Sequence, residues 1–221
     1  MSKMFDCITE TWNPLGGECP YNCTYCWAKR LIKRHKMSKY QGEPRIVSKE
    51  LKRKFKDGSF VFVQDMSDLF AETVPVEYIR KVLIYINKFS KTTFLLLTKN
   101  PKRYNEFVIP HNCICGATIE SDMQYKQVTK APLPLYRFME MDKLKHPRKM
   151  VSIEPIMKFS VLFADLLRKI NPEFIYIGFD NYNSGLIEPS VEKVDKLISE
   201  LEKFTVVHVK PSVEKRRNGG C

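Results

Sequence analysis

A chain of 221 residues, 43% of them hydrophobic, carries one domain with a proper core. Disulfide staples are unnecessary at that length, and seven cysteines is an odd number for them. Met1–Asp6 has no apolar run of signal-peptide or membrane-span length, so the cytoplasm is the expected location. The formal charge of +12 is concentrated, since Lys29 to Lys56 holds twelve Lys or Arg against only Glu43 and Glu50. Such density attracts polyanions, nucleic acid first. A solvated helix face is the plainer explanation of the same charges, and no nucleic-acid-binding motif accompanies them.

In chain order, Phe5–Thr11 reads as a short first strand and Trp27–Met37 as a helix, with Ala28, Leu31, Ile32 and His35 at helical spacing and Lys and Arg elsewhere. Gln41-Gly42-Glu43-Pro44 breaks that helix, and Ser48–Lys56 reads as another short basic one. Next come a strand at Phe60–Val63, an amphipathic helix at Pro75–Phe89, a strand at Thr93–Thr98 and a short helix at Pro101–Phe107. A strand at Cys113–Ile119 precedes a less regular span through Tyr136–Lys145. Lys149–Ile153 and Val161–Ile170 form the next strand and helix, Phe174–Gly178 and Val191–Phe204 the pair after, and Thr205–Val209 a terminal seventh strand. Short apolar strands alternating with helices indicate a parallel sheet, and six such units give an α/β fold, a partial (β/α)6 barrel of parallel strands with outer helices. The barrel is expected over 1–210, with 211–221 as a polar, mobile tail.

The chemistry concentrates between Thr11 and Trp27, where Cys19, Cys23 and Cys26 stand at C-x3-C-x2-C in a loop rich in Gly, Pro and Asn. Soft thiolates at that spacing suit a metal or an iron–sulfur cluster. A cubane has four irons, so three thiolates leave one iron open. A structural zinc site needs four ligands, which Cys113 or Cys115 would complete from afar. Those two share one strand face; Cys115 or Cys7 would take part in chemistry only by facing the site, and a small buried thiol is the favoured reading of each. Cys221 adds one more at the end of the chain.

In parallel β/α folds the chemistry gathers at the C-terminal strand ends. Here these carry Gln64, Asp65, Ser67 and Asp68, then Lys99, then Thr118 and Glu120, then Glu154, then Asp180 and Asn181. That polarity implies a wet cavity above the sheet. Asn181–Gly185 reads as its rim, and Trp12 and Trp27 as packing around the cysteine loop.

The cysteine loop resembles the signature of the radical SAM superfamily. Together with Thr11–Pro14, Met66–Phe70, Leu96–Pro101 and Ser152–Pro155 it resembles a phage-associated radical-SAM-like family of unknown function, related to spore photoproduct lyase-type proteins. The resemblance runs from about residue 9 to residue 185. It departs at Gly178–Gly185, where that family has Gly-Gly-Glu-Ser-Gly. What it implies is a 4Fe-4S cluster on Cys19, Cys23 and Cys26, with S-adenosylmethionine (SAM) on the open iron and reductively cleaved to a 5′-deoxyadenosyl radical. By the same resemblance Tyr25 lies against the adenine, and Gln64, Asp65 and Ser67 meet the methionine amino group. Thr118 and Glu120 meet the ribose, and Lys99 and Glu154 bind polar groups of SAM or the substrate. An electron donor such as flavodoxin or ferredoxin is implied as a partner, and a nucleic acid or nucleotide is the expected substrate. The alternatives are a radical SAM enzyme acting on a peptide or small metabolite, and a zinc-stabilised nucleic-acid-binding module without catalysis.

Overall fold

The computed structural model describes residues 5–125 and 127–219. Seven parallel strands form one sheet in chain order: β1 (Glu10–Trp12), β4 (Phe60–Val63), β5 (Thr93–Thr98), β6 (Cys113–Thr118), β7 (Lys149–Ile153), β8 (Phe174–Ile177) and β9 (Val206–Val209). β2 (Leu15–Gly16) and β3 (Arg45–Ile46) pair separately and antiparallel. The helices are α1 (Trp27–His35), α2 (Val76–Ile86), α3 (Pro134–Lys143), α4 (Phe163–Ile170), α5 (Val191–Leu201) and α6 (Pro211–Arg217). The fold is therefore an α/β partial barrel, with the late strand β9 completing a seven-stranded sheet.

Alternation along the strands divides the core in two. Val61, Val63, Phe94, Leu96, Cys113, Cys115, Val151, Ile153, Ile175 and Ile177 belong to the large cluster shared with the helices. Phe62, Leu95, Ile114, Met150 and Tyr176 line the other, inner face. In register, Phe62 sits beside Leu95, Leu95 beside Ile114, and Tyr176 beside His208. Continued upward, the same alternation carries Gln64, Lys99, Thr118, Ser152, Glu154 and Lys210 to the inner side at the C-terminal strand ends.

Five sequence expectations change. The first strand is only Glu10–Trp12, because Phe5 and Ile8 leave the sheet edge to fill the inner face against Phe62 and Tyr176. Ser48–Lys56 contains only a 3-10 turn at Glu50–Lys52, and Pro101–Glu106 is likewise 3-10. The span expected to be irregular holds α3, whose buried face is Pro134, Arg137, Phe138 and Met141. The stretch 211–217 of the expected tail is α6, seated by fully buried Val213 and by Arg216 and Arg217, which pair with Glu188 and Asp195 at 2.7 and 2.5 Å. Its last residues, Gly220 and Cys221, lie outside the described residues. Among the described residues, no helix is long and apolar enough to cross a membrane.

The small β2–β3 sheet fixes the start of the cysteine loop. Gly17 has φ +107° there, and a Cβ on it would stand 2.6 Å from the Glu43 carbonyl oxygen. Gly17→Ala meets both a left-handed backbone and a backbone clash, so we expect a loss of about 2 kcal/mol or more, read from the denaturation midpoint.

Candidate functional site

The three loop cysteines stand above the C-terminal strand ends, and their loop is held from several sides. Cys26 is the N-cap of α1, its sulfur accepting the Lys29 N–H at 3.3 Å. Thr24 N donates to Val128 O at 2.9 Å, Lys130 N donates to Tyr21 O at 2.8 Å, and Cys23 Sγ lies 3.1 Å from Thr129 Oγ1. Val128, Thr129 and Lys130 thus form a second wall of the loop, one that sequence reasoning missed. Burial pushes the Cys19 thiol up to about 12, with the nearby Asp68 carboxylate and the other two loop sulfurs adding to it. All six described cysteines are free thiols.

Gln64 fastens the loop from below. It has φ +61° and is almost fully buried. Its Oε1 accepts the Leu15 N–H at 3.0 Å, and its Nε2 donates to Leu15 O at 3.2 Å and to Ser67 Oγ at 2.6 Å. Asp65 accepts from Asn13 Nδ2 at 2.6 Å, while Asn13 Oδ1 takes the Met66 N–H at 3.2 Å. Burial raises the Asp65 pKa against that hydrogen bond. Asp68 caps its own turn through Phe70 N at 2.9 Å and ties β5 through Thr98 Oγ1 and Lys99 N, each at 2.7 Å.

Glu120 is the hub above β6. It accepts from the Tyr25 hydroxyl, from Lys99 Nζ at 2.8 Å and from Arg137 Nη1 at 2.6 Å. Burial alone would raise its pKa, but Arg137 and Lys99 outweigh burial and hold it at about 2. Burial and the Glu120 carboxylate push the Tyr25 phenol far above its ordinary value. Lys99 Nζ also stands 5.2 Å from the Tyr25 ring centre. Thr118 is buried, and its carbonyl accepts from Arg137 Nη1 at 2.6 Å. Arg137 is the residue that sequence reasoning missed here. Its signal was a cation on the apolar, helically spaced face of Pro134, Phe138 and Met141.

At the C-terminal end of β7 the inner face carries two buried polar side chains, Ser152 and Glu154. Ser152 Oγ and Glu154 Oε2 are buried without a hydrogen-bond partner among the described residues. Lys210 Nζ stands 3.5 Å from Glu154 Oε2, an ion pair outside hydrogen-bond geometry. Burial raises the Glu154 pKa and Lys210 opposes it. Gly178 lets Lys210 cross the mouth, since a Cβ there would meet Lys210 Cβ at 2.9 Å.

Other candidates fall elsewhere. Cys113 begins β6, and Cys115 follows on the same helix-side face, both fully buried and well below the loop. Cys7 reaches the inner face instead, accepting from the Tyr176 hydroxyl at 3.3 Å. Trp12 is core, packed on Phe55 and Phe94 beneath β1, whereas Trp27 packs on the smaller cluster of Ala28, Tyr40 and Met66. Among the described residues, no three His, Cys, Asp or Glu are arranged to hold a single metal ion. One tetrahedral zinc needs sulfurs about 2.3 Å from one point. Three free thiols in one loop are the donor types of a cubane with one iron open, and the buried Ser152 and Glu154 oxygens without hydrogen bonds suit a polar cofactor beside it, so the residue types fit that group.

On the rim, Asp180 accepts Tyr182 N at 3.1 Å and Ser184 N at 2.5 Å, shaping the 181–185 loop. Arg30 of α1 crosses to it, 5.0 Å from the Tyr182 ring centre and 3.2 Å from Ser184 Oγ. Lys29, Arg30, Lys33, Arg34 and Lys36 are exposed along α1, which has no acid. Part of the basic stretch is engaged internally, with Lys39 on Glu50, Arg53 on Glu10, and Arg45 on the carbonyls of Ser38, Lys39 and Gln41.

No curated protein matches this chain. The fold is similar to solved structures of spore photoproduct lyase. One, a mutant with bound AdoMet and dinucleoside spore photoproduct, has a TM-score of 0.60 at 11% identity and covers 90% of this chain and 75% of its own. Another, complexed with dinucleoside spore photoproduct, has a TM-score of 0.57 at 11% identity, covering 89% of this chain and 76% of its own. At that identity the likeness is one of fold. A family model described as "Protein of unknown function (DUF5131)" matches residues 4–171. The chain belongs to that family.

Proposed function

We propose that this protein is a radical SAM enzyme with a 4Fe-4S cluster on Cys19, Cys23 and Cys26. The observation that carries the reading is three free thiols in one loop above a parallel partial barrel whose strand ends hold buried oxygens at Ser152 and Glu154 without hydrogen-bond partners among the described residues. The likeness of the fold to a SAM-binding lyase supports it. When bound, the cluster supplies the electron that cleaves SAM to methionine and a 5′-deoxyadenosyl radical.

The chain's own residues do the positioning. Gln64, through Leu15, and residues 128–130 hold the cysteine loop in place. Tyr25 is anchored by its hydroxyl to Glu120, so its backbone is fixed beside Cys26 for an adenine to lie against. Ser152 and Glu154 accept hydrogen bonds from SAM or the substrate, and Asp65, Ser67 and Thr118 lie at neighbouring strand ends for its amino and hydroxyl groups. Glu120 and Lys99, bound to each other, act as a positioning pair. Incubating the anaerobically reconstituted chain with SAM and dithionite tests the reading: 5′-deoxyadenosine forms if it holds and does not if it fails. A flavodoxin or ferredoxin takes the place of dithionite in the cytoplasm.

The substrate we propose is a nucleic acid or nucleotide, bound along the acid-free face of α1 beside the rim loop. Affinity for a short duplex is expected to fall steeply with salt. Lys33→Glu with Arg34→Glu is expected to weaken binding about tenfold or more and to flatten the salt slope by about two. No retention at low salt would favour the peptide or small-metabolite reading.

A further inference from the structure

A cavity of about 200 Å³ lies between residues 128–131 and the N-terminal turn of α3, lined in part by Glu120, Val128, Lys130, Leu133, Arg137 and Met157. Arg137 has a fully buried side chain. Its Nε donates to Pro132 O at 2.7 Å and its Nη1 to Thr118 O and Glu120 Oε2, both at 2.6 Å. Nη2 has no partner among the described residues. A buried guanidinium nitrogen with both N–H groups unused is costly, and the bonds at Glu120, from Tyr25 and Lys99 to one oxygen and from Nη1 to the other, do not engage Nη2. At that one carboxylate two cations meet, and Lys130 adds a third at the rim.

We propose that this cavity binds a free small organic monocarboxylate, its oxygens on Arg137 Nη2 and its short apolar body against Val128, Leu133 and Met157. The charge balance calls for an anion. The apolar walls and single free nitrogen exclude phosphate, which needs several donors to offset its desolvation. The volume accommodates a short-chain carboxylate. The floor of the cavity is the segment that grips Tyr21, Cys23 and Thr24, so an occupant also steadies the cysteine loop. This inference needs no cluster and stands apart from SAM cleavage.

The test uses the full isotope-labelled chain and follows the Arg137 side-chain nitrogens by NMR during titration. The probes are propionate, butyrate, inorganic phosphate and S-adenosylhomocysteine at constant ionic strength. Propionate or butyrate is expected to shift Nη2 saturably at about millimolar concentration or below, and phosphate is not. Arg137→Lys removes the fork but endangers the fold. Val128→Phe fills the cavity while keeping the Val128 carbonyl bond to the loop, and is expected to weaken binding at least about tenfold with the Arg137 Nε signal unmoved. Three outcomes overturn the proposal: no saturable shift with either carboxylate, which leaves water as the occupant; the same shift with phosphate; or a shift with S-adenosylhomocysteine alone, which assigns the arginine to a nucleoside cofactor.

Discussion

Replacing Cys23 by alanine is expected to remove the iron from the reconstituted protein and to lower 5′-deoxyadenosine formation by about a thousandfold or more. Cys23 is the most buried of the three loop cysteines, 8% exposed, and its sulfur sits against Thr129. Its loss leaves two thiolates where a cubane with one open iron needs three, and no described cysteine is near enough to replace it. Cys113 and Cys115 are locked in the helix-side core, and Cys7 is on the inner face against Tyr176. The fold itself should survive, because the loop is fixed by backbone hydrogen bonds and Gln64 rather than by the sulfur. Circular dichroism and the melting temperature of the iron-free protein check that half, and iron analysis with product quantification checks the other. Full iron content in Cys23→Ala would falsify the assignment of this cysteine.

Glu120→Gln should be the most damaging single change to stability. It leaves Arg137 and Lys99 buried around a neutral amide, and removing one partner of a buried ion pair costs about 3–5 kcal/mol. For a chain of this size that corresponds to a drop of roughly 10 °C in melting temperature. The pH dependence gives an independent signature. The carboxyl is held at about 2 in the folded protein against its ordinary 4.5. A depressed folded-state pKa contributes stability that is complete above the unfolded value and disappears as the pH falls toward 2. That contribution is about 3 kcal/mol. The wild-type protein should lose it between about pH 4.5 and 2, and Glu120→Gln should lack this part of the acid transition. An acid limb identical in both proteins would show that the Lys99–Glu120–Arg137 cluster is not coupled to folding.

The sheet was legible because its strands are short, apolar and buried on both faces, so Phe60–Val63, Thr93–Thr98 and Lys149–Ile153 stand where the pattern puts them. The first strand was misjudged because Phe5 and Ile8 carry the same apolar signal whether they extend a sheet or fill the inner face. α6 was hidden by its charge, since one buried valine and two arginine pairs seat it. At the site, the residue types were visible and their partners were not. Lys99 and Glu120 could be read as ligand contacts, and the structure spends both on each other and on Tyr25 and Arg137. Gln64 and Ser67 are likewise engaged, with Leu15 and with one another. Gln64–Ser67 aside, these pairings join three-dimensional neighbours 17 to 95 positions apart, which no local pattern encodes.

The central claim is that the loop thiols hold a cubane with one iron free for SAM, and electron paramagnetic resonance of the reduced, anaerobically reconstituted chain tests it directly. The account predicts about four irons and four sulfides per chain and a reduced-cluster signal that changes when SAM is added. A colourless protein holding one zinc, or a cluster signal indifferent to SAM, would contradict it.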